Sequence, residues 1–113
     1  MRNLNHEMLH GNAETLVLAL LAEGEGYGYQ IRKDLADRSE QYFQFAFGRL
    51  YPLLRTLENR GLAKAKWVKK GGARRRKHYI ITRKGLAALN ERKHKWEEFS
   101  NAMERVLTAD GGR

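Results

Sequence analysis

The sequence predicts a mainly α fold with a small β-hairpin: a winged helix-turn-helix followed by one long C-terminal helix. Three observations carry this reading. Three short helical patterns come first. Two strand-like runs then flank a basic tip that contains two glycines. A helical stripe about 26 residues long closes the order. At 113 residues the chain suits one domain with a modest core.

Asn12 is placed to cap the first helix. Leu16, Val17, Leu20 and Leu21 follow at helical spacing, with Leu18 beside them, and form the expected buried face. Gly24 and Gly26 end the run. A second helix reads from Gly28 to about Arg38, with Ile31 and Leu35 a turn apart. Ser39 to Phe45 is aromatic and polar without helical period, so it reads as a connection. A third helix starts near Ala46 or Phe47, buries Leu50, Leu53, Leu54 and Leu57, and stops at Gly61 in a left-handed cap. Pro52 falls inside it. Proline beyond the first turn removes a ladder hydrogen bond, so the helix must start later or bend there.

Ala63 to Lys69 has the composition of a short strand around Trp67 and Val68. Lys77 to Thr82 is a stronger one, through Tyr79, Ile80 and Ile81. Gly71, Gly72 and the three arginines Arg74, Arg75 and Arg76 lie between them. Thr82 caps the last helix, expected from Arg83 to Thr108. Leu89, Trp96 and Met103 are seven apart, with Phe99 and Val106 on the neighbouring row, in a stripe interrupted by Arg92. Such a helix reaches about 39 Å, further than a three-helix core can cover. The stripe is therefore expected to meet a second copy. Residues 1–82 are then a DNA-binding winged helix-turn-helix with an N-terminal extension, and 83–113 a dimerisation helix.

The charge is concentrated. The formal net charge is +9, yet residues 48–84 hold 13 Lys and Arg against one acid, Glu58. The rest of the chain carries 9 basic and 12 acidic residues. A block of this kind is the electrostatic footprint of a polyanion partner. On the third helix, Arg49, Tyr51, Arg55 and Thr56 lie among the leucines. Arginine can take a guanine edge or neutralise phosphate, and both readings stay open for Arg49 and Arg55. Arg74, Arg75, Arg76 and Lys77 form a hairpin tip that can lie along phosphates or enter a minor groove.

Other chemistry finds little support. The absence of cysteine excludes a disulfide framework, a thiolate zinc site and a cysteine nucleophile. No apolar run approaches about 18 residues, and Met1 to His10 lacks the apolar core of a secretory leader. A cytoplasmic protein without membrane contact is expected. His6-Glu7-Met8-Leu9-His10 matches the H-E-x-x-H zinc pattern, but Glu14 is the only nearby third ligand and so short a chain leaves no substrate cleft. The match reads as chance. There is no G-x-S-x-G elbow and no phosphate-binding glycine loop. His78 and His94 show no acid partner in the sequence. No enzyme and no cofactor are expected.

These motifs, in this order, resemble the PadR family of bacterial transcriptional regulators in its short form with a single C-terminal helix. Leu16 to Leu21 followed by Tyr27-Gly28-Tyr29-Gln30-Ile31 is similar to the family's opening helix and Y-G-Y turn. Gly48-Arg49-Leu50-Tyr51-Pro52-Leu53-Leu54 resembles its recognition-helix signature, and Leu57 to Leu62 the end of that helix. Arg75-Arg76-Lys77-His78-Tyr79 resembles the wing strand, and Thr82-Arg83-Lys84-Gly85 the start of the last helix. The resemblance implies a homodimer that binds double-stranded DNA and represses nearby genes until a small aromatic or apolar effector releases it. By position it puts Arg49 and Tyr51 on the groove-facing part of the recognition helix, Arg75, Arg76 and Lys77 in the wing, and Tyr27 near the DNA backbone or the core. It puts Trp96 where ligand-responsive members stack a flat molecule across the dimer. Two features depart from the pattern. Arg49 stands where the family usually has Ser or Thr. The segment Tyr42 to Phe47 is more aromatic than usual, as core or as a site for aromatic ligands.

Overall fold

The computed structural model describes residues 12–69 and 75–108. They form α1 (Ala13–Glu23), β1 (Gly26–Tyr27), α2 (Gly28–Arg38), α3 (Phe47–Asn59), β2 (Ala63–Lys69), β3 (Arg75–Ile81) and α4 (Arg83–Leu107). This is a winged helix with one long C-terminal helix. None of the described helices is long and apolar enough to cross a membrane.

Helix α1 packs against α2, β3 and α4 and buries Ala13, Val17, Leu18 and Leu21. Leu16 and Leu20, expected on the buried face, are only partly covered, while Leu18 is fully buried. Asn12 holds the cap position without a side-chain capping bond. Its backbone (φ −113°, ψ −4°) is close to helical, whereas a capping side chain is aimed at the first amides from an extended residue.

The chain then forms β1, a strand of two residues that the sequence pattern does not announce. It pairs antiparallel with β3 through Gly26↔Tyr79 and Tyr27↔His78. β3 also pairs with β2, from Ala63↔Ile81 to Lys69↔Arg75, so β3 is the central strand. It begins two residues earlier than expected because the ladder continues through Arg76 and Arg75.

Between α2 and α3 the backbone turns through two positive-φ residues, Glu40 (52°) and Gln41 (69°). Ser39 Oγ donates to the Leu35 carbonyl at 2.7 Å and accepts from the Phe43 amide at 2.8 Å. Phe45 is 2% exposed, and Arg32 Nε donates to its carbonyl at 2.6 Å. In this aromatic segment Phe45 is therefore core, and Phe43 packs against that core.

Leu50, Leu54 and Leu57 of α3 are fully buried. Pro52 cannot donate to the Gly48 carbonyl, yet the helix runs through it to Asn59. The end of α3 is closed by two bonds: Leu62 N–H to the Leu57 carbonyl (2.9 Å) and Gly61 N–H to the Glu58 carbonyl (3.0 Å). This is the Schellman pattern, and Gly61 supplies its left-handed residue at φ 76°.

Helix α4 is seated on that same helix end. Thr82 Oγ1 accepts from the Gly85 amide at 3.0 Å and donates to the Gly61 carbonyl at 2.6 Å. The Thr82 amide donates to the Leu62 carbonyl at 3.1 Å. A Cβ on Gly85 would lie 2.0 Å from the Leu62 carbonyl oxygen, so only glycine permits this seating. One turn on, Leu89 is 5% exposed and joins the core. Arg92, which interrupts the apolar stripe, reaches Glu14 of α1 at 2.7 Å. Glu14 also takes Arg60 at 3.1 Å. Beyond Arg92 the helix leaves the body of the chain, whose extents are 65 × 32 × 24 Å.

Candidate nucleic-acid interface

Helix α3 turns Leu50, Leu54 and Leu57 inward, and Tyr51 and Arg55 stand on the side that faces the β-hairpin. Tyr51 and Arg55 are exposed and Arg49 is half-buried. Tyr51 folds back onto the start of α2. A Cβ on Gly28 would lie 2.6–2.8 Å from the Tyr51 ring and hydroxyl, so Gly28 makes room for it. Tyr51 stacks on Phe47 (centroids 5.5 Å, 21°), and Phe47 stacks on Tyr29 (6.5 Å, 23°). The Arg32 guanidinium lies 4.6 Å from the Phe47 ring centre. Thr56 turns its hydroxyl to the Pro52 carbonyl at 3.0 Å.

On the wing, Tyr27 is half-buried and stacks on His78 at 5.3 Å. The Arg76 guanidinium sits 4.5 Å over the Tyr27 ring, and that of Arg75 sits 5.8 Å over Trp67. A ring face orients a guanidinium without cancelling its charge. Lys77 is held differently. Its ammonium pairs with Glu58 of α3 at 3.1 Å, which raises its pKa and partly offsets its charge. The Lys77–Glu58 pair thus ties the wing to α3.

A second carboxylate ties the wing to β1. Glu25 takes Lys66 at 3.1 Å and His78 Nδ1 at 2.9 Å. The hydrogen bond from Lys66, then the one from His78, holds the Glu25 carboxyl below its ordinary value. His78 therefore has an acid partner that lies 53 positions away.

Tyr27, Tyr51, Arg55, Trp67, Arg76 and Lys77 line one open groove of about 750 Å³ between α3 and the hairpin. The structure thus brings together five residues singled out in the sequence, together with Trp67, which the sequence suggested only as a strand residue. Arg49 lies on the other flank of α3, and Arg75 stands further along the wing. Arg74 and the H-E-x-x-H run at His6 to His10 lie outside the described residues. Among the described residues no group of three His, Asp or Glu could hold a metal ion.

The apolar stripe of α4 divides in two. Leu89 anchors the helix in its own domain. Trp96 (54%), Phe99 (63%), Met103 (44%) and Val106 (82%) are exposed, so Trp96 is no part of its own chain's core.

Residues 17–91 match the transcriptional regulator PadR-like family. A PadR family transcriptional regulator from Eggerthella lenta is 35% identical, with a TM-score of 0.79 over 92% of this chain and 88% of its own. A PadR-like transcriptional regulator from Bacillus cereus is 29% identical, with a TM-score of 0.81 over 92% of this chain and 99% of its own. Bacillus subtilis PadR, solved in complex with operator DNA, is 25% identical, with a TM-score of 0.65 over 70% of this chain and 45% of its own.

Proposed function

The chain belongs to the PadR-like family of transcriptional regulators, and on that premise we propose that it is a homodimeric repressor, released from its operator by a small aromatic or apolar ligand. The observation that carries the DNA step is the cationic groove shared by α3 and the wing. Helix α3 enters a major groove with Arg49, Tyr51 and Arg55, as recognition helices do. Arg75 and Arg76, oriented by Trp67 and Tyr27, run along the flanking phosphates, with Lys77 beside them. Residues 1–82 form this DNA-binding part.

Residues 83–113 pair with a second copy through Trp96, Phe99, Met103 and Val106. Pairing buries the exposed stripe and sets two recognition helices at a fixed spacing for two half-sites. The ligand lodges between the paired helices against Trp96. Because α4 is seated on the end of α3 through Thr82 and Gly85, a tilt of α4 moves the recognition helix with it. A ligand releases DNA only if it prefers the spacing that DNA does not. The proposal needs no catalytic residue and no cofactor.

The test is a titration of the whole protein against duplex DNA from immediately upstream of its own gene, with an unrelated duplex alongside, at several salt concentrations. Specific regulation gives a preference of at least about 10³-fold and an affinity that falls steeply with salt. The Arg75→Ala, Arg76→Ala double variant should weaken binding to both duplexes. It should also flatten the salt slope by about one for each phosphate no longer neutralised. Equal, weak binding to both DNAs by the unaltered protein would count against a regulator of its own promoter.

A further inference from the structure

The outward side of α3 is poor in hydrogen-bonding groups where a recognition helix meets the bases. With Leu50, Leu54 and Leu57 buried, the period of 3.6 residues puts Gly48, Pro52 and Arg55 on the opposite side, with Phe47 and Tyr51 along one flank. The N-terminal turns of such a helix are the part that contacts base edges. Here those turns offer a glycine, an exposed proline and two stacked aromatic rings on one flank, with the half-buried Arg49 on the other. A Cβ on Gly48 would meet nothing within 4 Å, so the helix surface is open there and a base pair can approach the backbone closely. The Thr56 hydroxyl, a turn beyond Pro52, is directed at the Pro52 carbonyl.

Such a surface discriminates. A base edge that shows only donors and acceptors would be desolvated against Pro52 and the aromatic rings without replacement hydrogen bonds. The 5-methyl group of thymine has nothing to lose, and it is the one apolar group on the floor of the major groove. Charge says that the occupant is DNA: Arg55, Arg76 and Lys77 lie in the groove beside this apolar patch, and Arg32 covers the Phe47 ring behind it. We infer that the first turns of α3 read thymine methyl groups, with Phe47, Tyr51 and Pro52 as specificity-determining residues. This rests on the DNA-binding reading above and adds the class of sequence recognised: half-sites with thymine at the positions facing the start of α3.

The test uses the full-length protein and a pool of randomised duplexes. Bound sequences are selected and aligned. Each thymine of the resulting site is then replaced singly by deoxyuridine, which deletes the methyl and leaves every hydrogen-bonding group in place. At least one thymine in each half-site should show binding weakened about fourfold, the factor for one methyl-sized apolar group removed from water. That penalty should shrink toward onefold in Phe47→Ala or Pro52→Ala protein. The second of these restores a ladder N–H and does not threaten the helix. A selected site indifferent to uracil at every thymine overturns this inference alone. So does a penalty that persists unchanged in both variants. A pool that yields no common sequence overturns the DNA-binding reading and this inference with it.

Discussion

Helices α3 and α4 both carry apolar side chains at helical spacing, but the chain treats them in opposite ways. The leucines of α3 at 50, 54 and 57 are fully buried, while Trp96, Phe99, Met103 and Val106 of α4 are 44–82% exposed. The difference lies in what each helix can reach. Helix α3 has 13 residues and is enclosed by α2 and β2. Helix α4 has 25 and packs on α1 and β3, leaving its far half clear of the body. Periodicity says that one side of a helix is apolar; length and seating decide whether its own chain can cover that side.

The comparison can be broken first at α3. Leu54→Ala should cost about 2–5 kcal/mol, because the buried site cannot collapse fully around the missing atoms. Phe99→Ala should change the stability of the isolated chain by no more than about 0.5 kcal/mol, as for other exposed positions. Chemical denaturation of both variants, at protein concentrations where the chain is monomeric, makes the measurement. Equal losses would mean that α4 already packs on its own chain.

A charge in the far half of α4 sharpens the contrast. Trp96→Glu would place an unpaired carboxylate inside a paired stripe. One uncompensated buried charge costs about 3–5 kcal/mol, so self-association should weaken by at least about 10²-fold. Sedimentation should then show the mass of one chain where the unaltered protein is expected to show two, with far-ultraviolet circular dichroism unchanged. Operator affinity should fall with it, since a single half-site remains. A variant that keeps the two-chain mass would move the interface elsewhere.

The contrast also separates what the sequence discloses from what it hides. Features governed by neighbours in the chain were mostly legible, the Asn12 side-chain cap being the exception. Gly61 and Thr82 act as the caps their positions suggest, and α4 ends within one residue of its expected limit. Features set by distant partners were not. The strand β1 has two residues, too few for any period, and exists because β3 offers it an edge. Glu25 finds His78, and Glu58 finds Lys77, only after the hairpin folds back. The same holds at Arg92, which breaks the stripe in the sequence and binds Glu14 in the fold. In the groove, the basic and aromatic residues of α3 and the wing could be named in advance. The place of Trp67 could not, because alternation in so basic a strand does not say which side faces α3.

The smallest expected effect is at the Glu25 cluster, and its sign is fixed by the direction of one pKa. Lys66 and His78 hold the Glu25 carboxyl below its ordinary value of 4.5. A carboxylate depressed on folding stabilises the folded state above its unfolded value and loses that contribution as pH falls through its folded value. The link between β1 and the hairpin should therefore be intact at neutral pH and loosen only below 4.5. Amide chemical shifts of Lys66 and His78, followed by NMR during acidification, should move in that window in the unaltered protein and stay flat in Glu25→Gln. The carboxylate is exposed, so the change in global stability at neutral pH should be slight. DNA should report a gain instead. Removing Glu25 takes away the anion beside Lys66 and His78 and leaves the wing more cationic, so binding to any duplex should tighten and its salt dependence steepen. Unchanged affinity in Glu25→Gln would place the β1 end of the wing outside the phosphate track and confine DNA binding to α3 and the hairpin arginines.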